Sequence, residues 1–130
     1  MPKPLIQYRP QAEFPHFEKA CALFDIQDGV CFAYEDTYYT NHAPLPADFV
    51  VHERVHTKQQ LAIGAEEWWR RFFEEPSFRL EQELEAYQKQ LNSIQNKAVR
   101  FERRLQLIDD LSSPMYGNIV TKAELNTLLK

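Results

Sequence analysis

Glycine is scarce in this chain, with 3 among 130 residues. That leaves little room for flexible linkers, and no internal repeat or low-complexity tract interrupts the sequence, so residues 1–130 are read as a single domain. Cysteine is rarer still. Cys21 and Cys31 sit in apolar surroundings without metal-site spacing and are read as reduced core thiols, not a disulfide framework. No apolar run approaches the roughly 18–20 residues of a membrane span. The opening segment Met1-Pro2-Lys3-Pro4-Leu5-Ile6-Gln7 lacks a signal-peptide apolar stretch, which makes the cytoplasm the expected location. An excess of positive charge is also missing. With 15 Lys+Arg against 19 Asp+Glu the formal net charge is −4, which argues against a general binder of nucleic acid or anionic membrane. The small basic cluster Arg100, Arg103 and Arg104 lies beside Glu102, Asp109 and Asp110 and reads as a solvated helix face.

Apolar material is ample. Hydrophobic residues make up 44% and aromatics 13%, enough for one core. The first ten residues, with three prolines, read as an extended arm. Pro15 is placed at the first position of a short helix carrying Phe17, Cys21 and Phe24 inward. Val30–Tyr34 and Thr37–Thr40 are β-branched and aromatic, and Glu35-Asp36 joins them as a hairpin. After a loop to Pro46, Asp48 is expected to cap a helix that runs to about Ile63 and stops near Gly64. Glu66–Glu74 forms a second helical run with Trp68 over Phe72 and Trp69 over Phe73, read as core residues. A third helix starts at Pro76, with Leu80, Leu84, Tyr87, Leu91 and Ile94 as its apolar stripe. Another spans Ala98–Leu111 with Phe101, Leu105 and Ile108 inward. A loop over Ser112–Asn118 follows, and Thr121 with Glu124 makes a capping-box pattern for a last short helix. The fold class is α+β, mostly helical, with a small hairpin or sheet beside the helix that carries His52.

That helix holds the one strong motif, His52-Glu53-Arg54-Val55-His56. On a wheel of about 100° per residue the two histidines lie about 40° apart, so both imidazoles reach one cation. Neutral imidazole is a good zinc ligand, and Glu53 stands close enough to take a proton from metal-bound water without ligating the metal. A zinc site open for catalysis needs a third protein ligand. Of the acidic run Glu81-Gln82-Glu83-Leu84-Glu85, Glu83 lies about 60° from Leu80 and borders the apolar stripe, whereas Glu81 and Glu85 fall about 100° and 140° away. A carboxylate on a buried stripe is costly without a cation. Glu83 is therefore the expected ligand, with a salt bridge to Arg79 or Lys89 as the competing reading.

His52-Glu53-x-x-His56 followed on the next helix by Glu83-x-Glu85-Ala86 resembles the gluzincin group of zinc metallopeptidases, over roughly residues 29–90. No His-x-x-Gly-x-x-His extension follows His56, so the metzincin pattern is absent. The resemblance implies a minimal zincin-like domain with His52, His56 and Glu83 as ligands of one zinc ion per chain. It implies Glu53 as general base and a strand beside the site that pairs with an extended peptide. Tyr38 and Tyr39 sit on the strand expected to fill that role. Tyr87 stands where many relatives carry Asp or Asn, so the contact those residues make to a ligand histidine is not carried over. Gluzincins add a His or Tyr that stabilises the oxyanion, for which Tyr39, Tyr116 and His42 are candidates. The Trp68-Trp69 pair and the Ser112–Asn118 loop are similar to small phage-encoded proteins with such a motif, which would place the chain in a bacterial host cytosol. The expected function is zinc-dependent peptide hydrolysis through metal-activated water, with a peptide or protein as substrate. The alternative is a non-catalytic zincin-like module that binds a protein partner, with or without metal.

Overall fold

A computed structural model describes residues 6–130; residues 1–5, the first half of the expected arm, lie outside it. The described elements are β1 (Gln7–Arg9), α1 (Phe17–Leu23), β2 (Phe32–Tyr34), β3 (Thr37–Tyr39), α2 (Ala47–Ile63), α3 (Ala65–Glu74), α4 (Pro76–Asn92), α5 (Lys97–Leu111) and α6 (Lys122–Leu128). The fold is α+β, mostly helical, as its sequence pattern indicated. No helix among the described residues is long and apolar enough to cross a membrane.

The sheet is larger than a hairpin. β2 and β3 pair antiparallel with Ala33 opposite Tyr38, and the second half of the arm becomes β1, parallel to β3 with Tyr8 opposite Tyr38. The strand order β1-β3-β2 makes β3 the centre. Tyr38 and Tyr39 therefore do not lie on a free edge, which corrects their expected role in pairing with substrate. The outward carbonyl of β2 is occupied as well: Ala33 O accepts hydrogen bonds from Gln60 Nε2 at 2.8 Å and Trp69 Nε1 at 3.1 Å. Gln60 Oε1 accepts the Glu35 N–H at 2.7 Å, so one buried amide ties α2 to both the strand and its turn.

α2 ends where expected, because Gly64 adopts φ 89, a conformation that an L side chain resists. Its beginning differs. Asp48 makes no cap, Pro46 is the capping residue, and the Asp48 carboxylate faces α4 and α5 instead. α3 follows Gly64 directly and buries Trp68, Trp69, Phe72 and Phe73 against Phe14, Phe24, Phe32 and Phe78. Trp68 stacks on Phe72 with ring centres 5.0 Å apart, and its Nε1 donates to Gln82 Oε1 at 2.9 Å. Trp68→Ala is expected to cost about 3–5 kcal/mol of unfolding free energy, measured by denaturant titration, because it opens a cavity in the wall of the aromatic core.

The second cluster joins Tyr87 and Leu91 of α4 with Leu107, Ile108 and Leu111 of α5 and Leu125 of α6. The Thr121–Glu124 capping box forms as read. Three sequence expectations fail here. Phe101 and Leu105 are 62% and 49% exposed, so only Ile108 of the expected α5 face is inside. On α4 the buried face turns towards Phe78, Glu83, Ala86 and Gln90, leaving Leu80 and Leu84 half-buried. α1 begins at Phe17, not Pro15, and buries Ala20, while Cys21 is exposed and Cys31 half-buried. Both thiols are free, but neither is a fully buried core residue.

Candidate metal centre

α2 and α4 pack side by side and bring His52, His56 and Glu83 together, with all three buried. Their ligand atoms lie within 4.8 Å of one another. His52 Nε2 and His56 Nε2 are 3.1 Å apart, and Glu83 Oε1 stands 3.2 Å from the first and 2.6 Å from the second. Ligands about 2.0–2.1 Å from a tetrahedral zinc are separated from each other by about 3.3 Å; the 3.1 and 3.2 Å separations match that spacing, while the 2.6 Å between Glu83 and His56 is that of a hydrogen bond. The salt-bridge reading of Glu83 is not realised. Arg79 donates instead to the carbonyls of Phe72 and Tyr116, and Glu81 and Glu85 are exposed as expected.

What turns both Nε2 atoms inward is a set of amides that the sequence did not reveal. Gln90 Nε2 donates to Asp48 Oδ2 at 2.7 Å, which directs its Oε1 towards His52 Nδ1 at 3.1 Å. Gln59 Nε2 donates to Glu85 Oε1, and its own Oε1 lies 2.8 Å from His56 Nδ1. An amide oxygen only accepts, so each Nδ1 carries the proton and each Nε2 lone pair is left for a cation. Arg103 in turn holds Asp48, with Nε 2.9 Å from Oδ2. This answers the departure at Tyr87: its ring packs on that of His52, centres 4.5 Å apart, while Gln90 supplies the orienting acceptor. The only signal in the sequence was position, since Gln90 follows Glu83 by seven residues on the same helix face. Gln90→Leu is expected to weaken zinc binding by about 10–100-fold in a chelator competition.

Glu53 is 6% exposed, with Oε1 3.9 Å from His52 Nε2 and Oε2 without any hydrogen-bond partner among the described residues. Burial pushes its carboxyl up, and the charge on Glu83 adds to this, against the two histidines. An orphaned buried carboxylate oxygen beside two converging imidazoles fits a metal-bound water better than it fits a closed core. The donor set, two histidines and one carboxylate, also suits zinc with a position left open.

Two cavities meet at this point. One of about 40 Å³ is enclosed by Glu53, His56, Glu83, Trp68 and Met115. The other, of about 290 Å³, is lined by His52, Glu53, Cys31, Tyr87, Tyr116 and Asp110 among others. Tyr116 borders both, and its hydroxyl lies 2.5 Å from that of Tyr87. Of the three oxyanion candidates it alone reaches the site. Tyr39 packs on Phe14, and His42 is exposed against Asp28.

No family model matches the chain, and no curated protein or solved structure is significantly similar to it.

In the metal-free protein the cation between these ligands is a proton. Burial alone would lower the pKa of His56, but the Glu83 charge and hydrogen bond carry it up to about 9. The histidines hold Glu83 well below the usual carboxylate range. A histidine raised from its ordinary value of about 6.5 stabilises the fold fully below that pH and loses the contribution as pH climbs through the folded value. A zinc ion bound by these residues would have to displace the same proton. The melting temperature of metal-free protein is therefore expected to fall between about pH 6.5 and 9, while the gain on adding zinc widens over that range. Scanning calorimetry with and without zinc checks both slopes.

Proposed function

We propose that this protein is a zinc-dependent hydrolase of peptide bonds, with the metal held by His52 Nε2, His56 Nε2 and Glu83 Oε1. The observation that carries the reading is the buried Glu53 carboxylate, whose Oε2 has no hydrogen-bond partner among the described residues, set beside the three converging ligand atoms. When bound, zinc supplies Lewis acidity: it polarises a carbonyl oxygen and makes water an effective nucleophile near neutral pH.

The rest falls to the chain. Glu53 takes a proton from the attacking water and returns it to the leaving amine. Burial raises its carboxyl pKa, which favours holding the proton between the two halves of that task. The Tyr116 hydroxyl borders the same space and is available to donate to the oxygen on which charge develops. Trp68, with its ring centre 5.1 Å from that of His56, walls the site from water. The test is digestion of a mixed peptide library by zinc-loaded protein, compared with the Glu53→Gln variant at equal zinc content.

One observation favours a second reading, a zincin-like module that binds a protein partner without cleaving it. Gln60 and Trp69 occupy the outward carbonyl of β2, where an extended peptide would otherwise pair. Full zinc loading with no cleavage of any library peptide favours that alternative.

A further inference from the structure

The cleft of about 290 Å³ beside His52 and Glu53 has a second acidic wall. Asp110 lies in the last turn of α5, where the unpaired carbonyls of a helix end concentrate negative charge and disfavour a carboxylate. No basic residue occupies that turn. Its neighbour Asp109 is paired with Lys122 at 3.0 Å, but the Asp110 carboxylate has no ion-pair or hydrogen-bond partner among the described residues. It is half-buried, and burial together with Asp109 pushes its carboxyl up. Arg103, two turns back on the same helix, is committed to Asp48. The remaining wall of the cleft, including Leu45, Phe49, Val30 and Met115, is apolar or neutral.

Two carboxylates therefore line one cavity with unmet bonding capacity: Glu53, whose Oε2 has no hydrogen-bond partner among the described residues, and Asp110, whose carboxylate has none. An unfavourable charge on the wall of a cleft is relieved by a ligand of opposite sign. We propose that Asp110 is the specificity residue of the cleft and that it takes a cationic group of the substrate, an ammonium or guanidinium carried by the peptide. This rests on reading the site as a peptidase. The cation is either the amino terminus of the peptide or a Lys or Arg side chain near the bond to be cut.

Hydroxamates that grip the metal separate these cases. Three are titrated into zinc-loaded protein by calorimetry: Nα-acetyl-lysine hydroxamate (side-chain cation), norleucine hydroxamate (amino-terminal cation) and Nα-acetyl-norleucine hydroxamate (no cation). One cationic probe is expected to bind about tenfold more tightly than the neutral one, as one charge-assisted hydrogen bond in a partly wet cleft allows. Which probe gains identifies the source of the cation. The gain should disappear in Asp110→Asn and return in Asp110→Glu, with the neutral probe unaffected by either. Equal binding of all three probes, or a gain that survives Asp110→Asn, overturns the proposal and leaves the metal site standing.

Failure to load zinc overturns the peptidase reading instead, and a second readout decides the proposal without the metal. In metal-free protein, n-butylammonium is expected to shift the NMR signals of the Asp110 and Gly29 amides and the Met115 methyl, in wild type and not in Asp110→Asn. Identical spectra for the two proteins under titration overturn it.

Discussion

Replacing Glu53 by glutamine is expected to lower peptide hydrolysis by about a hundredfold or more while leaving zinc content and fold intact, the scale of a lost general base. The two effects separate because of where Glu53 stands. It sits one residue after His52, yet its Oε1 is 3.9 Å from His52 Nε2, outside the group formed by the three ligand atoms. Glutamine keeps the size and polarity of the side chain but cannot take a proton. It also removes a carboxyl that burial disfavours in its ionised form, so Glu53→Gln should be no less stable than wild type, and a modest rise in melting temperature is expected. Hydrolysis rates at matched zinc occupancy, read with the melting curve, check both parts. Unchanged cleavage would remove Glu53 from the chemistry.

The second large effect concerns the ligands. His56→Ala and Glu83→Gln should each abolish most zinc binding, by about a hundredfold or more, because two ligands hold zinc poorly where three leave one open position. Glu85→Gln, on the exposed side of the same helix, should change affinity far less. Among the described residues, its hydrogen-bonded link to the centre runs through the Gln59 amide, 2.7 Å from Glu85 Oε1. His56→Ala carries a further cost. It strips Glu83, 3% exposed, of its closest cation and leaves only His52 Nε2 at 3.2 Å, so the cost is part of the about 3–5 kcal/mol of a fully unpaired buried charge. Glu83→Gln is therefore the cleaner variant. Elemental analysis and chelator competition rank the three, and equal losses at Glu83 and Glu85 would contradict the assignment of the ligand.

The face of α2 that carries His52 and His56, and Glu83 as the carboxylate that meets them, were readable because helical periodicity is local: spacing alone sets which side chains share a face. The same logic failed on α5, which carries two apolar stripes. Phe101 and Leu105 compete with Leu107, Ile108 and Leu111, and exposed apolar residues are common enough that hydrophobicity alone does not choose. The orientation is set by partners distant in sequence, with Arg103 tied to Asp48 and Arg104 donating to the carbonyl of Leu129. The strand β1 was hidden for a related reason. Its partner lies about 30 residues away, and a strand of three residues in a proline-rich segment has no pattern of its own. The orienting amides of Gln59 and Gln90 escaped because an uncharged polar residue on a helix looks solvated until its neighbour is known. Cys21 was misplaced because α1, at 7 residues, is too short for a period to show.

The Gln60 amide has a consequence for how the protein behaves in concentrated solution. A strand with open hydrogen-bonding groups along its outer side is a template onto which another chain can add, which is how sheets grow into aggregates. β2 presents aromatic and apolar residues in such a position, yet its outward carbonyl is taken by Gln60 and Trp69 from within the same chain. Side chains, not a further strand, seal that side of the sheet, so the seal lasts only as long as α2 and α3 stay docked. Gln60 thus serves as a guard against self-association, and Gln60→Leu should leave a chain that folds but loses solubility on concentration, visible as a rise in light scattering.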